Sequence, residues 1–233
     1  MTREIILRFS CPIECEERES RVCMKRKHFN LILVIAFIIM IIPFVIISIY
    51  SRPSADDFVY SSDTYHLIQS GNWNILDLAK QAFETDVYYY NNWQGLYTSA
   101  FVLALQPGIF GEKLYFLGSI FLFILMYFCL YFGLKNINYV LKLRFNLWFS
   151  ALFLLSFFAI GMPDMLQGIY WFNGAWNYIP FFFLTFLNVS ILFRYIFAEG
   201  NNGWLIVGSS VLSFLISGGN HWLNHPMSDD FET

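Results

Sequence analysis

Long apolar runs alternate with shorter polar stretches along most of this sequence. A helix needs about 20 mostly apolar residues to cross ~30 Å of hydrocarbon. Runs of this kind predict five membrane-spanning helices, at 29–50, 114–134, 146–162, 177–197 and 203–218. The last run is short and contains several Gly and Ser residues, so we expect it to pack closely against a neighbour. The predicted fold class is an all-α integral membrane protein.

A sixth apolar segment, 95–110, is expected not to span. It is short, and Gln106-Pro107-Gly108 interrupts it, which is typical of a re-entrant or interfacial segment. If it does not span, most Lys and Arg residues fall on one side of the membrane, as the positive-inside rule requires. The N-terminus is then cytoplasmic and the C-terminus extracytoplasmic.

This topology defines the organisation of the chain. Residues 1–28 form a cytoplasmic tail, of which 1–23 are expected to be disordered. The loops 51–113 and 163–176 and the polar tail 219–233 all face the extracytoplasmic side. Polar residues from several converging loops at a membrane surface are the first place to look for a site.

The first outer loop has helical patterning of its own. Residues 75–90 predict an amphipathic helix that lies on the membrane surface. Its apolar stripe consists of Leu76, Ala79, Phe83, Val87 and Tyr90. A second short helix is predicted at 62–70, and Gly71 is expected to end it.

Composition agrees with a membrane protein. Hydrophobic residues make up 57% of the chain and charged residues 13%, whereas a soluble domain has roughly 25% charged residues. Membrane lipids are therefore expected partners. No basic patch with interleaved aromatics is present, so no nucleic-acid partner is expected. Cys11, Cys15 and Cys23 lack a fourth ligand at a spacing suited to zinc.

Asp56 and Asp57 directly follow the first span and allow two interpretations. In the structural one, Ser54-x-x-Asp57 is a capping box with Asp57 at the third helical position, and Asp56 favours the positive end of the helix dipole. In the functional one, a carboxylate partly desolvated at the membrane boundary removes a proton from an acceptor hydroxyl. The two are compatible, because a cap fixes the position of its neighbour.

The outer loops also combine aromatic and amide side chains, as in "VYYYNNWQGLY" and "QGIYWFNGAWNY". Flat rings suit the apolar faces of a sugar, and amides suit its hydroxyl groups. The predicted substrate-binding residues are Tyr90, Asn91, Trp93, Gln94, Trp171, Asn173, Trp176 and His221.

The order of these motifs carries a resemblance to a known superfamily. A span, "ADDF", surface helices and then "WQGLYTSAFVLALQPGIFGEKLYFLGSIFLFILMYFCLYFGL" resemble the polytopic membrane glycosyltransferases of the GT-C superfamily. "QGIYWFNGAWNYIP" and "SGGNH" are also similar to a related group of uncharacterised bacterial membrane proteins. The resemblance covers 29–221. It implies sugar transfer from a polyprenyl-phosphate-linked donor to an extracytoplasmic glycan or lipid acceptor, with Asp56 or Asp57 as the catalytic base.

Three alternatives accompany this expectation. No cofactor is assigned, and the first alternative is a bound divalent metal. Some members of the superfamily bind one, and His66, Asp164 and His221 are the conceivable ligands here. The superfamily core usually has more spans than the five predicted, so an N-terminal fragment or an inactive truncated product is the second alternative. The third is a non-catalytic membrane protein, either an envelope scaffold or a transporter component, although transporters usually carry ionisable or broken-helix features inside their spans.

Overall fold

The computed structural model describes residues 13–93, 95–143, 145–198 and 203–219. All regular secondary structure in these ranges is helical. The helices are α1 (Ile13–Ile49), α2 (Asp56–Gln69), α3 (Ile75–Asn92), α4 (Thr98–Ala104), α5 (Leu117–Leu141), α6 (Leu147–Gly161), α7 (Phe172–Phe197) and α8 (Gly203–Ser217). Shorter turns are the 3₁₀ helices Pro107–Phe110 and Glu112–Leu114 and the π-helical turn Leu166–Tyr170. The chain divides between Ile42 and Pro43 into two compact units.

Three helical segments are long and apolar enough to cross a membrane, which indicates a membrane protein. They are Leu31–Ile49, Glu112–Leu141 and Phe172–Phe197, and each coincides with a predicted span. The other two predicted spans form α6 and α8, with fifteen residues each. Fifteen helical residues rise about 22 Å, less than the ~30 Å hydrocarbon core. Spans beyond these three therefore stay a prediction.

Helices α5 and α7 run side by side in the same direction. Near their beginnings, Gly118 lies so close to the Phe172 ring that an added Cβ would sit 2.5 Å from it. Near their ends, Asn136 Nδ2 donates to Ser190 Oγ at 3.4 Å. Their beginnings consequently lie at one end of the packed helices, and their ends at the other.

Helix α8 runs back along α7. Asn188 joins the two helices, because its Nδ2 donates to Ser213 Oγ at 2.8 Å and its Oδ1 accepts from Ser209 Oγ at 2.6 Å. Such polar clamps are typical of helices packed in apolar surroundings. The C-terminal end of α8 reaches α4, where Thr98 N–H donates to the Gly218 carbonyl at 3.0 Å. The expected close packing of this helix is thus present.

Helix α3 follows the predicted amphipathic segment and begins at the cap Asn74, whose Oδ1 accepts from Leu76 N–H at 3.1 Å. Its apolar stripe is mainly exposed; Leu76 is 74% exposed. The inward face instead carries Leu78, Ala82, Thr85 and Asp86. The fold therefore leaves most of the apolar stripe exposed, as an interfacial helix requires, and buries two polar side chains.

Several predicted boundaries differ from the structure. Helix α1 begins at Ile13, so the disorder predicted for 1–23 is not met over 13–23; residues 1–12 lie outside the described ranges. Helix α2 ends before Gly71, which has a φ of +86°, but it begins at Asp56 rather than at 62. The segment 95–110 forms the seven-residue α4 and a 3₁₀ helix, neither long enough to cross a bilayer.

Helix α7 begins at Phe172, five positions earlier than the predicted span. Part of the predicted loop 163–176 is therefore helical. The physical reason is that side chains of the candidate site accept hydrogen bonds from the first backbone N–H groups of α7.

Candidate functional site

The buried carboxylate of Asp57 lies where α2, α5 and α7 meet. Its Oδ2 accepts from Tyr115 Oη at 2.6 Å and from Ser54 N–H at 3.0 Å. Its Oδ1 accepts from Asn173 N–H at 2.9 Å. The side chain is only 2% exposed. The bond from Ser54 is the carboxylate half of the predicted capping box. The other half is not formed, because Ala55 is the cap of α2, without a side-chain hydrogen bond, and Asp57 is the second helical residue, not the third.

The same carboxylate helps to start α7. The first N–H groups of a helix have no partner within the helix. Here Phe172 N–H donates to Tyr115 Oη at 2.7 Å, and Asn173 N–H donates to Asp57. A negative charge at this end also interacts favourably with the helix dipole. These two acceptors allow α7 to begin before the apolar run that predicted it.

The side chain of Gln106 binds the backbone carbonyl of Asp57. Its Nε2 donates to the Asp57 carbonyl at 2.7 Å and to Ser61 Oγ at 2.6 Å, and that hydroxyl donates to the same carbonyl at 2.7 Å. We call Asp57, Gln106, Tyr115 and Asn173 the polar junction. It unites residues from both predicted outer loops, which therefore meet at the beginnings of α5 and α7.

Burial is the main influence on the Asp57 carboxyl and raises its pKa above the ordinary value. Hydrogen bonds from Tyr115, Ser54 and Asn173 oppose this shift, and the charge of Asp56 adds to it. Three donors already engage the two carboxylate oxygens. In this arrangement Asp57 connects the beginning of α2 with Tyr115 and with the first turn of α7.

Asp56 is exposed and lies beside a cluster of tyrosines. The rings of Tyr60 and Tyr89 are 4.3 Å apart between centroids. Burial raises the pKa of Tyr60 to about 12, and Tyr89, Asp56 and Tyr178 add smaller contributions. Tyr60 follows Asp56 by four positions on α2, so the two residues lie on the same face of that helix. The result is an accessible carboxylate beside flat aromatic rings.

A cavity of about 470 Å³ adjoins this region, between the end of α1, the 51–55 linker and the π-helical turn. Its polar wall includes Arg52, Ser54 and Gln167, and Trp171 supplies an aromatic wall. Arg52 Nη1 donates to the carbonyls of Ile49 and Ser51 at 2.9 and 2.7 Å. Trp171 Nε1 donates to the Ser54 carbonyl at 3.3 Å. A positioned cation and an indole ring therefore line one opening.

Three of the predicted sugar-binding residues lie near the polar junction. Trp171 lines the Arg52 cavity. Asn173 is buried, and its side-chain oxygen accepts from Asn177 Nδ2. Trp176 is half-buried; its ring stacks on Phe172 with centroids 5.3 Å apart, and its Nε1 donates to a backbone carbonyl. Of the three, Trp171 alone lines that cavity.

The other predicted binding residues lie elsewhere. Tyr90 lines a different cavity, between α3, α4 and α8. Asn91 Nδ2 donates to the carbonyl of the preceding helical turn at 2.8 Å, and Trp93 is exposed at the end of α3. Gln94 and His221 lie outside the described residues. The predicted set is thus distributed over at least two regions.

Two of the three conceivable metal ligands, His66 and Asp164, lie within the described ranges. Among the residues that the structure describes, no three His, Cys, Asp or Glu side chains are arranged to hold a metal ion. His66 is exposed on α2, and Asp164 Oδ1 accepts from Gln167 N–H at 3.1 Å at the π-helical turn. The third conceivable ligand, His221, lies outside the described ranges.

The structure brings in residues that sequence reasoning did not single out. Tyr115 and Gln106 complete the polar junction, Tyr60 shares a helix face with Asp56, and Arg52 lines the neighbouring cavity. Tyr60 follows Asp56 by four positions, so a helix over this segment would have placed the two on one face. No comparable local signal identifies Tyr115 as a partner of Asp57, because they are 58 positions apart.

Comparison of the chain with protein-family models, with curated proteins and with solved structures finds no match. Function is therefore inferred from the geometry around Asp56 and from the motifs in the sequence.

Proposed function

We propose that this protein is a membrane glycosyltransferase, or the N-terminal part of one. It transfers a sugar from a polyprenyl-phosphate-linked donor to an extracytoplasmic glycan or lipid acceptor. The observation that carries this proposal is the exposed Asp56, which shares a face of α2 with Tyr60 and directly precedes Asp57 of the polar junction. In the same proposal the chain crosses the membrane five times, with a cytoplasmic N-terminus and this surface outside.

Asp56 is the proposed catalytic base. It accepts the proton of the acceptor hydroxyl while that oxygen forms a bond to the anomeric carbon of the sugar. The bond from the anomeric carbon to the phosphate oxygen breaks, and polyprenyl phosphate leaves with the electron pair. Between the two aspartates, exposure favours Asp56, because hydrogen bonds already engage both oxygens of Asp57. Asp57 is a positioning residue.

Arg52 and Trp171 supply the proposed donor site. A guanidinium binds phosphate oxygens through two parallel hydrogen bonds, and it would stabilise the charge that develops on the leaving phosphate. Trp171 would cover an apolar face of the sugar, and Gln167 on the same wall would bind a hydroxyl. Ser54, two positions before Asp56, is also on this wall, so the donor cavity adjoins the proposed base.

The test compares matched carboxylate variants of the full chain in lipid nanodiscs. The substrates are decaprenyl-phosphate-linked glucose, galactose, mannose and arabinose, each with a radiolabelled sugar, together with extracted envelope glycan and lipid. Wild type is expected to release decaprenyl phosphate from at least one donor. Asp56→Asn should slow that release by about 10²–10⁴-fold, the usual contribution of a general base, without changing the unfolding temperature.

Glu84→Gln is the control, because it removes another exposed carboxylate, which pairs with Lys80 on α3; its rate should equal that of wild type. Equal rates for Asp56→Asn and wild type would contradict the assignment of the base. If the folded wild type released nothing from any of the four donors, the non-catalytic or inactive alternatives would be favoured instead.

A further inference from the structure

A second cavity, of about 580 Å³, lies between α3, α4 and α8 and shares no lining residue with the Arg52 cavity. Its volume falls in the range of about 300–1,000 Å³ that is usual for small-ligand sites. Five aromatic side chains contribute to its wall: Phe83, Tyr90, Tyr97, Phe101 and Phe214. One ionisable carboxyl, that of Asp86, lies among them.

Asp86 is a buried carboxylate that receives a hydrogen bond from the backbone N–H of Phe101. It is 5% exposed, and its Oδ1 has no hydrogen-bond partner among the described residues. Among the described residues, no Lys, Arg or His lines the cavity. Burying a carboxylate without a partner costs several kcal/mol, so native structures usually supply a cation or several donors. Asp86 is also one of the residues that line the cavity.

The aromatic wall is held in place by hydrogen bonds. The hydroxyl of Tyr97 donates to the Phe214 carbonyl at 2.6 Å, and the two rings are 5.0 Å apart between centroids. The ring of Tyr90 lies 6.4 Å from that of Tyr97. Fixed aromatic faces beside a carboxylate attract cations, because the face of an aromatic ring carries negative electrostatic potential.

We propose that this cavity binds a substituted ammonium group, with the carboxylate of Asp86 as its counter-ion and Tyr90, Tyr97 and Phe214 as its aromatic wall. A neutral apolar ligand would leave the charge of Asp86 without a counter-ion, and an anion would be repelled. A divalent metal needs several oxygen ligands, whereas a single carboxylate lines this cavity. An ammonium group with alkyl substituents pairs with the carboxylate and also fills the apolar space.

Two sources could supply this group: the headgroup amine of a membrane lipid, or a soluble amine. Phe83 and Val87 belong to both the exposed stripe of α3 and the cavity wall. If that stripe lies on the membrane, lipid headgroups can reach the cavity. The experiment distinguishes the two sources.

The charge of Asp86 should make binding depend on pH. Burial raises the pKa of this carboxyl to about 6, and the backbone N–H of Phe101 partly opposes the shift. The other titratable groups on the wall are Tyr90 from α3 and Tyr97 ahead of α4; α8 contributes Phe214 and Leu215, and no charged side chain of α2 lines the cavity. Affinity should therefore fall as the pH decreases through about 6, because a neutral carboxyl is no counter-ion.

The test titrates tetramethylammonium chloride into the full chain by calorimetry, in nanodiscs of phosphatidylglycerol, with sodium chloride at the same ionic strength as the reference. Wild type at pH 7.5 is expected to bind saturably. Asp86→Asn, or wild type at pH 5, should bind at least tenfold more weakly. Tyr90→Leu, which removes one aromatic face, should bind severalfold more weakly. Glu84→Gln, which removes an exposed charge from the same helix, should bind as wild type does.

A second arm repeats the wild-type titration in nanodiscs that contain phosphatidylethanolamine. Weaker binding of tetramethylammonium there identifies the lipid headgroup as a competitor for the cavity; equal binding supports a soluble amine. Absence of saturable binding in phosphatidylglycerol nanodiscs, or equal affinities for wild type and Asp86→Asn, would overturn the proposal. These outcomes do not depend on glycosyl transfer, so the two proposals can fail separately.

Discussion

The polar junction predicts that two adjacent aspartates contribute very differently to stability. Asp57→Asn replaces one carboxylate oxygen by an NH₂ group. Three donors face that carboxylate, two at Oδ2 and one at Oδ1. The amide keeps a single acceptor oxygen, so at least one buried donor of Ser54, Tyr115 or Asn173 loses its partner.

The magnitude follows from opposing effects. A buried donor without a partner costs about 1–3 kcal/mol, and weakening the N-terminal cap of α7 costs about 1 kcal/mol more. Asn is neutral, which removes the desolvation cost that raises the pKa of the Asp57 carboxyl and offsets part of the loss. We expect Asp57→Asn to lower the free energy of unfolding by about 1–3 kcal/mol. Asp56→Asn, at an exposed position, should change it by less than about 0.5 kcal/mol.

The assay is unfolding of both variants in mixed detergent micelles with increasing sodium dodecyl sulfate, followed by tryptophan fluorescence and helical circular dichroism. The two optical signals should change together if the transition is cooperative. A value for Asp57→Asn within 0.5 kcal/mol of wild type would refute the role given to the polar junction. Equal destabilisation by Asp56→Asn would refute the distinction between the two aspartates.

Two further predictions use the same assay. Tyr115→Phe removes the hydroxyl that connects Asp57 to the first N–H of α7, and it should lower the free energy of unfolding by about 1–3 kcal/mol. In the double variant with Asp57→Asn, the two losses of stability should not add. Additive losses would show that the two residues act independently. Asp86 has its pKa raised to about 6 in the folded protein from 3.8, so the folded state binds more protons between these values and its stability should decrease as the pH rises from about 4 to about 7. Because Asp86→Asn cannot titrate, its stability relative to wild type should increase by about 2–3 kcal/mol over that range; a constant difference would contradict the raised pKa.

Local patterns in the sequence were sufficient for much of the helical organisation. The period of the apolar residues predicted α3 with its exposed stripe, and the interruption at Gln106 explains why 95–110 forms only short helices. The same patterns did not predict that α7 begins at Phe172. Its first turn is polar and aromatic, and its stability depends on acceptors supplied by Asp57 and Tyr115 from distant parts of the chain.

The sequence by itself determined that this is a helical membrane protein, because length and hydrophobicity of a segment are local properties that a bilayer selects directly. It also identified the two aspartates after the first span. The tertiary structure decided which of them is buried, since the partners of Asp57 lie 58 and 116 positions away. It likewise made Asp86 a buried carboxylate facing aromatic rings, although its spacing on α3 is that of an ordinary polar residue. Burial and hydrogen-bond partners depend on which distant segments pack together, and no local period encodes that choice.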